Sequence, residues 1–168
     1  FLKLDDRVKG VVPLRLFLFQ GDNMRTKFVL LCAGLFLIWP VFPATSKTIS
    51  DSRGKSVTVP DRVRHIICSG PGALRLITYF NAQDLVVAVD DMETARKKFD
   101  ARPYAIANPQ YKKLPVFGEF RGNDDPEKIL GLAAQPQVIF KTYAGMGYDP
   151  VELSQKTGIP VVVLGYGN

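Results

Sequence analysis

From residue 46 onward, apolar positions switch between strand-like and helix-like spacing. Ser56-Val57-Thr58-Val59 alternates, stops at Pro60 and follows a turn at residues 51–55. That predicts a small hairpin. Residues 63–68 form a run rich in branched apolar side chains and predict a buried strand, with His65 packed inside it. Ser69-Gly70-Pro71-Gly72 is a tight loop, and Leu74, Ile77 and Tyr79-Phe80 then recur at helical spacing. Residues 85–89 read as a second strand closed by Asp90-Asp91, and residues 92–99 as a helix.

The stretch 101–123, broken by Pro103, Pro109, Pro115, Gly118 and Gly122, reads as irregular apart from a short strand over 114–117. Asp125-Pro126 opens a helix, with a capping carboxylate and proline at the first helical position. It is expected to run to about Ala134. Residues 138–141 form the next strand. Asp149-Pro150 opens a helix that stops at Gly158, and residues 160–164 form the last strand.

Strands separated by short helices predict an α/β lobe: a parallel sheet with helices on both faces, preceded by the hairpin. Ligands of such sheets bind beyond the carboxyl ends of the strands. The candidate loops are therefore 69–72, 90–92, 117–122 and 142–147.

The first part of the chain follows different rules. Met24-Arg25-Thr26-Lys27 precedes an uncharged apolar run over 28–39 and a Pro-rich stretch ending at Ala44. This is the pattern of a secretory signal peptide, with cleavage expected after Ala44. The run is short of the roughly 20 residues a membrane span needs. Cys32 lies mid-run behind Leu31, unlike a lipidation site, so a periplasmic location is expected. Residues 1–23 precede the first Met and are expected to be read-through upstream of the true start, with a disordered leader as the alternative.

That division changes the meaning of the composition. The chain of 168 residues carries 22 basic and 16 acidic residues, net +6. Six of the basic and three of the acidic residues lie in 1–44, so half of the excess belongs to the leader. The remaining +3 gives no reason to expect nucleic acid, and no basic stripe or nucleic-acid motif accompanies it. One His and two Cys exclude a disulfide framework and a His/Cys zinc cluster.

Several segments, in order, resemble the periplasmic substrate-binding proteins of iron-chelate and cobalamin ABC importers. They are Asp51-Ser52-Arg53-Gly54 with Val57-Thr58-Val59-Pro60, Arg64-His65-Ile66-Ile67-Cys68-Ser69 and Leu85-Val86-Val87-Ala88-Val89. Further on come Pro126-Glu127-Lys128-Ile129-Leu130, Pro136-Gln137-Val138-Ile139-Phe140 and Thr157-Gly158-Ile159-Pro160-Val161-Val162-Val163-Leu164. The resemblance covers about residues 48–168. It implies the N-terminal lobe of a two-lobed, monomeric binder that captures a ferric siderophore and delivers it to a membrane permease. Cobalamin and haem are alternative ligands within the family. The second lobe, after residue 168, is expected to be missing. The resemblance further implies permease docking by Glu127, ligand contact at Ser69, Gly70, Pro71 and Gly72, and a cleft aromatic at Tyr143.

Side-chain chemistry adds candidates. Anionic, flat ferric chelates suit Arg donors and Tyr faces, which selects Arg102, Tyr104, Arg121, Lys141 and Tyr143. Asp91 is a further candidate at a strand end. No bound cofactor and no resident metal are expected. A different class, a small exported α/β enzyme holding an anionic substrate on the 69–72 loop, lacks GxGxxG and P-loop patterns and a second His.

Overall fold

The computed structural model describes residues 45–95, 100–142 and 144–165. The expected leader, its cleavage site and Tyr143 lie outside the described residues.

β1 (Ser46–Ser50) and β2 (Ser56–Pro60) pair antiparallel as the expected hairpin. Asp51 holds its turn by accepting the backbone N–H groups of Arg53 and Lys55 at 2.8 and 2.9 Å. The main sheet contains β3 (Ile66–Ser69), β4 (Val86–Asp90), β5 (Val116–Glu119), β6 (Asn123–Asp124), β7 (Val138–Thr142) and β8 (Val161–Leu164). Its order is β6-β5-β4-β3-β7-β8. All neighbours are parallel except β6, which returns antiparallel along β5.

Period-two side-chain alternation sends neighbouring residues to opposite faces, which explains two separate cores. Ile66, Cys68, Val138 and Val162 join Leu74 and Ile77 of α1 (Ala73–Tyr79) on one face. Ile67, Ile139 and Val161 pack on the other with Ile129 of α4 (Pro126–Leu130) and Leu153 of α5 (Pro150–Thr157). The expected α/β sheet covered on both faces is thus the fold observed.

Local expectations differ in four places. β3 begins at Ile66, because the N–H groups of Arg64 and His65 donate to Gln137 Oε1 rather than to a strand. His65 is consequently exposed, not packed. The stretch expected to be irregular contains α3 (Pro103–Ala107) and a 3-10 turn at Pro109–Lys113, each opening on proline. Between them α2 (Asp91–Ala95) and α3 flank residues 96–99, which are not described. α4 stops at Leu130, four residues early, where the Gln135 side chain donates to the carbonyls of Leu130 and Leu132. The two-residue β6 is too short to have left a periodic signal.

Candidate functional site

The chain leaves β3 through β4 and β5 to one side of the sheet, then returns through β7 and β8 on the other. The order therefore reverses between β3 and β7. A crevice opens at the carboxyl ends at such a point, because successive connections leave toward opposite faces. Here α1 packs on one face and α5 on the other.

The floor of this crevice is tightly joined. Ser69 and Lys141 are register partners. Thr142 Oγ1 donates to the Pro71 carbonyl at 2.9 Å. Gly70 has φ 84, and a Cβ there would lie 2.7 Å from the Thr142 carbonyl oxygen. Only glycine permits both that backbone and that approach.

Lys141, expected on the ligand-facing wall, is instead fully buried. Its Nζ donates to Asp124 Oδ2 at 2.6 Å, the Gly122 carbonyl at 2.9 Å and Ser69 Oγ at 3.1 Å. It offers no free surface to a ligand, and the Ser69 hydroxyl beside it is buried too. Asp91 also turns inward, where Oδ1 accepts the Phe120 N–H at 2.7 Å and braces the loop after β5.

Arg102 and Tyr104 belong to a second cluster. Arg102 donates to Glu93 Oε1 and Asp100 Oδ2, both at 2.6 Å, and the Tyr104 hydroxyl donates to Glu93 at 2.9 Å. The Arg102 hydrogen bond holds the Asp100 carboxyl down at about 2, well below its ordinary value. Burial, Glu93 and Asp91 together push the neighbouring Asp90 carboxyl up to about 7. Burial likewise raises Glu93 and Cys68. Asp90 Oδ1 and Glu93 Oε2 are buried without a hydrogen-bond partner among the described residues. Sequence reasoning selected Arg102 and Tyr104 but passed over Glu93 and Asp100. Asp100, two residues before Arg102, was the available sign that this arginine has a local partner.

Arg121 is exposed, beside Gly122, whose carbonyl shares the Lys141 ammonium with Ser69. It sits in the connection between β5 and β6 with φ 68, followed by Gly122 with φ 80. No described side chain pairs with its guanidinium. Pro71 and Gly72 are half-buried beside the start of α1, and Glu127 is exposed in the first turn of α4. A groove of about 400 Å³ lies elsewhere, between the hairpin and α5, lined by Lys55, Val57, Val151 and Val161. Tyr79, Phe80 and Ile106 are exposed apolar side chains on or beside α1 and α3. Among the described residues no group of three or more His, Cys, Asp or Glu is placed to hold a metal, and no helix is long and apolar enough to cross a membrane.

No family model matches the chain, and no curated protein matches it. Solved structures do. The molybdate periplasmic binding protein MolA of Haemophilus influenzae is 22% identical with a TM-score of 0.55, over 70% of this chain and 34% of its own. A periplasmic solute binding protein from Veillonella parvula is 18% identical with a TM-score of 0.54, over 74% and 36%. A variant of the heme binding protein HmuT is 20% identical with a TM-score of 0.50, over 74% and 34%. The likeness is one of fold, and the chain spans about a third of the length of these structures.

Proposed function

We propose that residues 45–168 form one lobe of a periplasmic solute-binding protein of an ABC importer, contributing one wall of a cleft for an anionic iron chelate. The observation that carries this reading is the reversal of strand order between β3 and β7, with exposed Arg121, which no described side chain pairs, in the turn after β5. An always-charged, planar donor set suits an anionic solute. The fold likeness to solute-binding proteins supports capture without turnover. The wall is the 69–72 loop with the turn at 120–123, and exposed Glu127 on the same end of the sheet is available to meet a permease cation. Export through the leader and a second lobe closing the cleft belong to the same proposal. Haem is the second reading, favoured by the fold likeness to a heme binding protein.

One wall buries much less of a ligand than a closed pocket does, so binding by this chain is expected to be weak. A diamagnetic gallium(III) tris-catecholate, titrated to millimolar concentration, is the suitable probe, with haemin in a parallel titration. Amide shifts are expected to cluster at Ser69, Gly70, Gly72 and 120–122. Shifts confined to other surfaces, or none with either probe, would refute the cleft. Shifts with haemin alone would select the second reading.

A further inference from the structure

We propose that Lys141 is a buried positioning residue, a clasp that holds the 120–123 turn and so presents Arg121 to the crevice. The inference rests on the cleft reading above. Lysine has three N–H donors and no acceptor. Here all three are used, on Ser69 at the end of β3, Gly122 in the turn and Asp124 on β6. The ammonium therefore ties three separate segments, although neither it nor Asp124 has any exposed side-chain surface.

Such a buried pair is weak evidence of stability, because apolar residues of similar volume often serve the core equally well. Its residues do serve to fix one arrangement of the turn. Arg121 and Gly122 both have left-handed backbones, which an arginine adopts only where its surroundings impose it. The Gly122 carbonyl receives the Lys141 ammonium and, at 2.7 Å, the Tyr148 N–H. Gly147, itself at φ 69, has no Cβ to block the close approach of residues 121 and 122. Asp91 pins Phe120 from the third side. With residues 120, 122 and 124 held inward, Arg121 is the charged side chain of this turn left facing solvent, next to exposed Glu119 at the end of β5.

Lys141→Met alone leaves the Asp124 carboxylate buried and unpaired, so it tests folding as well as position. The informative variant combines Asp124→Leu with Lys141→Met, removing both charges together. It is expected to melt within a few degrees of the unaltered chain, while amide exchange at Asn123 and Tyr148 accelerates about tenfold or more. Gallium(III) tris-catecholate affinity should fall about tenfold. Unchanged exchange would overturn the clasp. Faster exchange with undiminished probe affinity would overturn the positioning role and leave the cleft reading intact. If the unaltered chain binds no probe, the cleft reading falls, and exchange still decides the clasp. In the unaltered chain the Tyr148 amide should be protected like those of β7. Exchange there at the rate of an exposed loop would overturn the proposal without any variant.

Discussion

Replacing Asp90 by Asn should make the chain more stable at neutral pH and flatten the dependence of its stability on pH. Asp90 ends β4 inside the fold, and its Oδ1 has no partner among the described residues. Burial is the largest cause of its raised pKa, followed by Glu93 and Asp91, while the backbone N–H groups of Glu93 and Met92 pull the other way. Other groups in this region are the Cys68 thiol on β3, the Tyr104 and Tyr111 hydroxyls, and Arg102 paired to Glu93 and Asp100. Between 3.8 and about 7 the folded chain holds a proton on Asp90 that the unfolded chain has lost. Stability from this group is therefore full below about pH 4, falls as pH rises toward 7, and is flat above. At about 1.4 kcal/mol per unit, the ionised carboxylate costs the fold about 4 kcal/mol. Asn carries no charge, and its side-chain oxygen serves equally well at the start of α2. Urea unfolding of both chains at pH 4, 6 and 8 is the assay. The lowered pKa values of Asp51, Asp100, Asp125 and Asp149 act in the opposite direction at the acid end and cancel in the difference. With a urea m-value of about 2 kcal/mol/M, the midpoint difference should grow by roughly 2 M from pH 4 to pH 8. A difference that stays constant over that range would refute the reasoning.

Two further outcomes test the packing behind the site. Gly70→Ala should cost about 2–4 kcal/mol in urea unfolding, since its Cβ would press on the Thr142 carbonyl and hydroxyl from a left-handed backbone; a loss below about 0.5 kcal/mol would remove the close approach at the crevice floor. Ile139→Ala, at a fully buried position between β3 and β8, should cost about 2–5 kcal/mol without shifting the 120–123 amides.

Much of the fold was legible because it is written in local signals. Asp125-Pro126 and Asp149-Pro150 announce helix starts, and each aspartate accepts two backbone N–H groups as its position suggests. Branched apolar runs between those helices imply a sheet with two covered faces, because a strand buried on both sides cannot spare polar positions. The loops at the carboxyl ends followed from that topology alone. Strand boundaries were less legible at Arg64 and His65, where a glutamine 73 residues from Arg64 takes both N–H groups.

The roles of the charged side chains were decided only in three dimensions. Residue type marks Lys141, Arg102 and Arg121 alike as candidate anion donors. Tertiary structure separates them by what stands opposite: Asp124 for Lys141, Glu93 and Asp100 for Arg102, and solvent for Arg121. A cation's availability depends on the distance to the nearest carboxylate and on burial, and the chain sets both through contacts between distant segments. The sequence by itself therefore determined which elements form and which loops lie at the carboxyl ends of the strands. Only the folded arrangement decided which charges are used up inside it and which are left facing solvent.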